Sequence, residues 1–214
     1  MADICYISTE METPFDLLLI SPEQDLPNEL KITIELLSRG LGGFHLRKPH
    51  WAIEKVQHFL ETIPKEHHHK IVLHSHFQLA HLFQVKGIHL NETNKKLIHQ
   101  FENHPVLSAS FHSLNELKEN TFRYEYVFLS PIFNSISKES YHAKFDLKLL
   151  SEELNRMKQE NHLLPKVIAL GGIDSENILK VKEAGFAGAA LLGAVWQSEN
   201  PADTFLKIKS VAAQ

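Results

Sequence analysis

The 214-residue sequence is poor in cysteine, in long apolar runs and in excess positive charge. Its single cysteine, Cys5, rules out a disulfide within the chain and is typical of a reducing compartment. No apolar stretch approaches the roughly 18–20 residues that a membrane-spanning helix needs. The start, Met1-Ala2-Asp3, lacks the basic and apolar regions of a signal peptide. With a net charge of −4, the sequence predicts a cytoplasmic protein with no nucleic-acid or membrane partner.

Eight short apolar runs alternate with helix-like segments along the chain. Such runs, bounded by turn residues, are typical of buried parallel strands. The predicted strands are Phe15–Ile20, Phe44–Leu46, Ile71–Leu73, Gly87–Leu90, Val106–Ala109, Tyr126–Leu129, Val167–Leu170 and Ala189–Leu192. The predicted helices are Asn28–Arg39, Trp51–Ile63, Phe77–Phe83, Asn94–Asn103, Leu114–Asn120, Asp146–Asn161, Glu176–Ala184 and Ala202–Ala212.

This alternation predicts an α/β fold, a (β/α)8 TIM barrel, as a single domain over residues 1–214 with an N-terminal extension at residues 1–14. An open, doubly wound sheet is the alternative, although it needs fewer strands. One connection, Pro131–Lys144 after the sixth strand, is longer than the others and rich in serine and charge. We predict that it is an active-site lid.

Glycine turns follow the seventh and eighth strands, as Gly171-Gly172 and as Leu192-Gly193-Ala194. Glycine lets the backbone approach a ligand closely, and two such turns can direct N–H groups at a phosphate. The loops after these two strands form the common phosphate site of TIM barrels. We therefore predict that Gly171, Gly172, Leu192, Gly193 and Ala194 bind a substrate phosphate. Ordinary strand-to-helix turns without a ligand are the alternative.

Several short motifs, taken in their order and spacing, resemble the thiamine-phosphate synthase superfamily, which also contains the thiazole tautomerases. The motifs are Phe44-His45-Leu46-Arg47, Gly87-Ile88-His89-Leu90, Ser130-Pro131-Ile132-Phe133, Leu170-Gly171-Gly172-Ile173 and Leu192-Gly193-Ala194-Val195. The resemblance runs from about Leu17 to Val195 and implies an enzyme of thiamine biosynthesis with a small phosphorylated thiazole substrate.

The synthase branch joins a pyrimidine diphosphate to a thiazole phosphate, with magnesium on the diphosphate. The resemblance places Ser110 at the pyrimidine and Ser135, Ser137 and Lys138 on the lid, where Lys138 grips the diphosphate. Both expected magnesium carboxylates are missing, because Ser75 and Asn94 stand at their positions. Magnesium prefers anionic oxygen ligands. We therefore predict no resident metal or cofactor, and magnesium only if the chain is a synthase.

The fifth strand ends in Ser110-Phe111-His112-Ser113-Leu114, which resembles a segment of the thiazole tautomerases. The resemblance implies that His112 is the general acid/base that moves a proton on a thiazole phosphate carboxylate, chemistry that suits an imidazole near neutral pH. The remaining predicted substrate contacts are His45, Arg47, Lys48, His74, Ser110 and Ser130, with Arg47 and Lys48 at the carboxylate. We predict a tautomerase, an isomerase, with the synthase, a transferase, as the alternative.

Two further hypotheses use the same strand ends. His45, His74, His76 and His89 follow neighbouring strands and suit zinc in a barrel hydrolase, although such sites usually include a carboxylate. A non-catalytic relative that binds a thiamine precursor is the other. A separate run, His67-His68-His69, falls at the opposite end of the barrel, where we predict a solvated turn. The sequence does not set the oligomeric state and is compatible with a homo-oligomer.

Overall fold

The computed structural model of the chain describes residues 14–101, 103, 107–134, 145–160 and 164–214. Eight parallel strands form a closed barrel in sequence order, and the last strand pairs with the first. The strands are β1 (Asp16–Ile20), β2 (Gly43–Leu46), β3 (Ile71–Leu73), β4 (Gly87–Leu90), β5 (Leu107–Phe111), β6 (Tyr126–Leu129), β7 (Lys166–Leu170) and β8 (Gly188–Leu191). Closure confirms the predicted TIM barrel and excludes the open sheet. Of the predicted extension at residues 1–14, residues 1–13 lie outside the described residues.

Helices connect the strands around the outside of the barrel. They are α1 (Glu29–Ser38), α2 (Ile53–Thr62), α3 (Leu79–Phe83), α4 (Leu114–Lys118), α5 (Leu147–Glu160), α6 (Ile178–Glu183), α7 (Gly193–Trp196) and α8 (Pro201–Ala212). Within the described parts of the chain, no helix is long and apolar enough to cross a membrane.

The predicted α-helix over Asn94–Asn103 is wrong in type, because the structure has a 3₁₀ helix at Lys95–Gln100. This helix buries none of its residues, so no apolar face stabilises a regular α-helix there. A tight turn precedes it, in which Asn91 Oδ1 accepts hydrogen bonds from the backbone N–H groups of Thr93 and Asn94. A second 3₁₀ helix, Lys65–Lys70, and the short α7 were not predicted.

The main core lies between the outer face of the strands and the helices. Strand residues such as Leu19, Phe44 and Ile71 are fully buried, as are Leu36 of α1 and Phe205 of α8. Successive strand side chains point to opposite faces, so the residues next to these in each strand point into the barrel. Each large apolar side chain buried in this layer stabilises the barrel by about 1.5–3 kcal/mol.

The inside of the barrel is divided into an apolar side and a polar side. The apolar side is formed by Leu18, Ile20, Phe128, Ile168 and Ala190, from β1, β6, β7 and β8. The polar side carries His45 of β2, His89 of β4 and Ser108 of β5, all of them buried. Alternation along the strands therefore directs the chemistry-bearing side chains of β2 to β5 into one part of the barrel.

We call the carboxyl ends of the strands the mouth and the opposite end the base. At the base, His68 lies in the 3₁₀ helix and is buried, so the predicted solvated turn is wrong for this residue. Its Nδ1 lies 3.0 Å from the carbonyl oxygen of Phe83, and its Nε2 lies 3.0 Å from those of Leu60 and Ile63. The carbonyl groups at helix ends lack intrahelical partners. His68 therefore lies between the ends of α2 and α3, and its N–H group caps one of them.

Candidate active site

Three histidines meet inside the mouth: His45 of β2, His74 directly after β3 and His89 of β4. His45 Nδ1 lies 2.9 Å from His74 Nε2. The rings of His74 and His89 stack with centroids 4.3 Å apart and planes 17° apart. One ring nitrogen from each of the three lies within 4.8 Å of the others. Three residues that the sequence only placed at neighbouring strand ends therefore form one cluster, which we call the histidine triad.

Hydroxyl groups lie within hydrogen-bond distance of three further nitrogens of the triad. Tyr126 Oη lies 2.8 Å from His45 Nε2. Ser108 Oγ lies 2.9 Å from His89 Nδ1, and Ser110 Oγ lies 2.8 Å from His89 Nε2. Burial raises the pKa of the Tyr126 phenol well above its usual range, so this group stays neutral and acts as a hydroxyl.

Burial also lowers the pKa of all three imidazoles. The pKa of His89 falls to about 3, and those of His45 and His74 fall well below their usual range. Desolvation is the largest cause in each case, and repulsion among the rings and from Arg47 and Lys95 adds to it. The triad is therefore neutral at pH 7, with one donor and one acceptor nitrogen on each ring.

The sequence missed two members of this network, Tyr126 and Ser108. Ser108 stands two residues before Ser110 on β5, so strand alternation alone places both serines on the inner face. Nothing in the local sequence pairs Tyr126 with His45, because the two are 81 positions apart and meet only when the barrel closes.

His112, the predicted acid/base, lies directly after β5 at the mouth. Its Nδ1 is 3.2 Å from Ser130 Oγ, at the end of β6, and 3.4 Å from the Ser130 carbonyl oxygen. Its backbone N–H donates to Glu116 Oε2 at 3.1 Å, and the N–H of Glu116 donates to Ser113 Oγ at 3.2 Å. The start of α4 thus fixes the backbone that carries the imidazole. Glu116 is therefore a positioning residue for His112.

The first glycine turn packs against the loop that leaves β6. Gly171 and Gly172 have φ angles of 104° and 66°, in the left-handed region. A Cβ on Gly172 would lie 2.2 Å from the Asn134 carbonyl oxygen and 2.8 Å from Phe133 Cβ. Asn177 Nδ2 also donates to the Gly172 carbonyl oxygen at 2.8 Å. The requirement for glycine at 172 therefore has a structural cause, and it fixes this turn beside the β6 loop.

The second glycine turn forms the start of α7. The backbone N–H groups of Val195 and Trp196 donate to the Leu192 carbonyl oxygen. Trp196 Nε1 donates to the Ile20 carbonyl oxygen at 2.7 Å and ties α7 to the end of β1. Gly193 is the first residue of this helical turn and Ala194 the second. The N–H groups of the first residues of a helix have no partner within that helix, which leaves them available to a ligand.

The two cations predicted at the substrate carboxylate differ sharply in environment. Arg47 is half-exposed, and its Nη1 forms a 2.8 Å ion pair with Glu23. Lys48 is fully buried, with its Nζ 2.7 Å from Glu29 Oε2 and 3.0 Å from the Gln24 carbonyl oxygen. Because a buried charge needs a partner and Lys48 already has one, its placement argues against a substrate contact. Arg47 keeps its side chain at the surface.

The other predicted site residues fall into three groups. His76 lies outside the triad, because its Nε2 is 2.7 Å from the Trp51 carbonyl oxygen and its φ of 51° turns the chain away after β3. His45 is fully buried and pairs in the sheet with Val72, two residues before His74, so it lies deeper in the barrel than His74. Ser135, Ser137 and Lys138 of the predicted lid lie outside the described residues.

The residues at the expected magnesium positions do not fit that ion. Asn94 Oδ1 accepts a hydrogen bond from the Asn91 N–H at 2.6 Å, as part of a backbone turn. The adjacent Glu92 is exposed, and its carboxylate pairs with Lys95 at 3.1 Å. With Ser75 at the other position, the pair of anionic oxygens that magnesium prefers is missing here.

The closed barrel, the polar groups at its mouth and the glycine turns after β7 and β8 define a TIM-barrel protein. Residues 17–195 match the family described as thiamine monophosphate synthase. Because the match covers most of the sequence, the chain belongs to the thiamine monophosphate synthase family. This family is one of thiamine biosynthesis, and the match confirms the superfamily predicted from the sequence. It does not distinguish the synthase branch from the tautomerase branch.

Solved structures agree with this assignment. A thiamine phosphate pyrophosphorylase from Bacteroides thetaiotaomicron is 33% identical, with a TM-score of 0.78 over 93% of this chain and 98% of that one. A thiamine phosphate pyrophosphorylase from Pyrococcus furiosus is 16% identical, with a TM-score of 0.74 over 94% and 97%. An (S)-3-O-geranylgeranylglyceryl phosphate synthase from Thermoplasma acidophilum, solved with sn-glycerol-1-phosphate, is 15% identical, with a TM-score of 0.60 over 94% and 93%. The last two show a shared fold alone.

Proposed function

We propose that the chain is a thiazole tautomerase, which isomerises a phosphorylated thiazole carboxylate. The observation that carries the proposal is the placement of His112, an imidazole at the mouth 3.2 Å from Ser130 Oγ. Its backbone is fixed through Glu116 at the start of α4. A positioned histidine at the active end of a TIM barrel suits proton transfer.

The reaction is a proton shift that leaves the composition of the substrate unchanged. The free-base imidazole of His112 accepts a proton from a ring carbon, and the electrons of that C–H bond enter the ring as it becomes aromatic. The imidazolium then returns a proton to the exocyclic carbon as the exocyclic double bond is lost. One C–H bond breaks and another forms, so the reaction needs no oxidant, no diphosphate and no metal.

The backbone turns and Arg47 supply the binding groups for such a substrate. The phosphate is held by the turns at Gly171-Gly172 and Leu192-Gly193-Ala194, which follow β7 and β8. The carboxylate is met by Arg47, which exchanges its exposed ion pair with Glu23 for the substrate. An exposed ion pair contributes little free energy, so breaking the Arg47–Glu23 pair costs little.

Thiamine-phosphate synthase is the second candidate, favoured by a specific comparison. The relative that is 33% identical carries the name thiamine phosphate pyrophosphorylase. Ser110, which the resemblance places at the pyrimidine, is oriented by His89 at 2.8 Å. The poor fit of Ser75, Glu92 and Asn94 to magnesium counts against this candidate.

An assay in heavy water separates the two candidates. Thiazole phosphate carboxylate is incubated with the protein, with and without pyrimidine diphosphate and magnesium. We expect magnesium-independent tautomerisation with deuterium entering the exocyclic position, detected by NMR. We expect His112→Gln to lower the rate by about 10²–10⁴-fold, the usual contribution of a general acid/base.

The control is His58→Gln, which removes an exposed histidine from α2 at no predicted cost. Magnesium-dependent formation of thiamine phosphate without tautomerisation would establish the synthase instead. Tautomerisation that persists at the full rate in His112→Gln would remove His112 from the mechanism. Binding of the thiazole without turnover in any condition would favour a non-catalytic precursor-binding protein.

A further inference from the structure

We propose that the histidine triad is a binding site for a divalent transition-metal ion of the zinc class. The ligands are His45 Nδ1, His74 Nε2 and one ring nitrogen of His89. The proposal concerns binding alone and does not depend on the reaction proposed above.

The first argument is convergence. The three imidazoles come from three adjacent strands, and one nitrogen from each lies within 4.8 Å of the others. In a tetrahedral site with Zn–N bonds of about 2.1 Å, two ligand nitrogens lie about 3.4 Å apart. His45 Nδ1 and His74 Nε2 are 2.9 Å apart and bonded to each other, so the ion replaces this hydrogen bond after an opening of a few tenths of an ångström. The His89 ring must also turn one nitrogen away from its serine hydroxyl to meet the ion. Imidazole is a preferred ligand of Zn²⁺ and Co²⁺.

The second argument is the support around the ligands. A metal-bound histidine usually donates its other N–H group to an oxygen, which fixes both ring and tautomer. Tyr126 Oη is placed for this role 2.8 Å from His45 Nε2. Ser108 and Ser110 hydroxyl groups flank the two nitrogens of His89 at 2.9 Å and 2.8 Å. Whichever His89 nitrogen meets the ion, an oxygen faces the other.

The third argument is charge. The three ligands are imidazoles, which bind a metal ion through a neutral nitrogen and bring no negative charge to it. Three neutral ligands leave the ion its full double charge. The fourth position is therefore best filled by an anion such as hydroxide or an acidic group of a ligand. Zinc sites with three histidines keep that fourth position open for such a group.

The test measures metal directly on protein purified without a histidine tag. Chelator-treated protein is dialysed against Zn²⁺ and analysed for bound metal, and Co²⁺ is titrated while the visible spectrum is recorded. We expect one ion per chain and the intense visible absorption of tetrahedral Co²⁺. We expect His74→Gln and His89→Gln to abolish stoichiometric binding, and Tyr126→Phe to weaken it by about 10–100-fold, as loss of a supporting hydrogen bond does.

The control is the double variant His67→Gln/His69→Gln, which removes base histidines outside the triad and should keep the bound ion. Circular dichroism of each variant checks the fold, and His74, which is partly exposed, is the triad position that best tolerates change. Failure of the wild type to bind Zn²⁺ or Co²⁺ in a 1:1 ratio would overturn the proposal and leave the triad as a metal-free hydrogen-bonded network. Binding lost only in the His67→Gln/His69→Gln variant would also overturn it. Neither result bears on the tautomerase assay, which is read without added metal.

Discussion

The two ends of the barrel carry the same kinds of residue in opposite roles. At the mouth, His45, His74 and His89 face one another and bond to hydroxyl groups. At the base, His68 faces the carbonyl oxygens of helix ends. The mouth histidines bond to each other and to serine and tyrosine hydroxyl groups, whereas both nitrogens of the base histidine face backbone carbonyl oxygens. The comparison teaches that the partner, more than the residue type, decides whether a buried histidine supports chemistry or stability.

The largest expected effect is the acid sensitivity of the mouth. In metal-free protein, unfolded His89 binds a proton below about pH 6.5, while folded His89 resists protonation down to about pH 3. The unfolded state therefore binds more protons in this window, and the free energy of unfolding falls as pH decreases. His89 alone contributes a loss of about 4 kcal/mol between pH 6.5 and 3.5, at about 1.4 kcal/mol per pH unit.

Urea unfolding at several pH values in the presence of chelator measures this loss. His89→Gln should lower the slope of the free energy of unfolding against pH by up to about 1.4 kcal/mol per pH unit, the contribution of one proton. The control His58→Gln changes an exposed residue of α2 and should leave this slope as in the wild type. Equal slopes in the wild type and in His89→Gln would show that protonation of His89 does not cause the loss of stability at low pH.

The next effect compares a glycine at each end. At the mouth, Gly172→Ala places a Cβ 2.2 Å from the Asn134 carbonyl oxygen at a φ of 66°, so backbone must move. We expect a loss of about 2–4 kcal/mol, from overpacking together with the left-handed conformation. At the base, Gly185→Ala has a similar φ of 84° but a nearest contact of 3.3 Å, to Asn155 Oδ1. There only the conformational cost of about 1–2 kcal/mol applies.

Urea unfolding of both variants gives the two losses under identical conditions. A Gly172→Ala protein as stable as Gly185→Ala would contradict the close approach between the β7 turn and the β6 loop. Weakened binding of thiazole phosphate by Gly172→Ala alone would place the phosphate at the mouth turn.

The sequence predicted the framework of both ends well. The predicted bounds of β3, β4 and β6 are those observed, at Ile71–Leu73, Gly87–Leu90 and Tyr126–Leu129. Short apolar runs between turn residues carry this information locally, and barrel closure follows from their number and alternation with helices. The same alternation correctly placed histidines at the mouth, because residues at strand ends share one edge of the barrel.

What the sequence could not predict is which groups pair across the barrel. Lys48 and Arg47 are neighbours in the sequence and were predicted alike, yet one is buried against Glu29 and the other is half-exposed beside Glu23. Tyr126 of β6 meets His45 of β2 only across the inside of the closed barrel. Likewise, a run of three histidines gave no sign that its middle member is buried between two helix ends. Such pairings depend on closure of the barrel, and local patterns do not encode it.

The smallest expected effects separate stability from catalysis at the two ends, since the mouth of a TIM barrel carries activity and the base carries stability. His68→Gln removes a ring whose nitrogens face the carbonyl oxygens of Leu60 and Ile63 on one side and of Phe83 on the other, and whose N–H group donates on one of these sides. It should lower the free energy of unfolding by about 1–3 kcal/mol, the cost of leaving a buried polar group unpaired, without altering turnover.

Ser130→Ala removes the hydroxyl 3.2 Å from His112 Nδ1. It should leave the free energy of unfolding unchanged and lower kcat about tenfold. Because the hydroxyl orients the imidazole, KM should change little, and Ser130→Thr should restore part of the loss; a rise in KM alone would instead make Ser130 the substrate contact that the sequence predicts. Steady-state kinetics and urea unfolding on both variants make the test, and a Ser130→Ala protein that loses stability but not kcat would assign Ser130 to the fold and weaken the role proposed for His112.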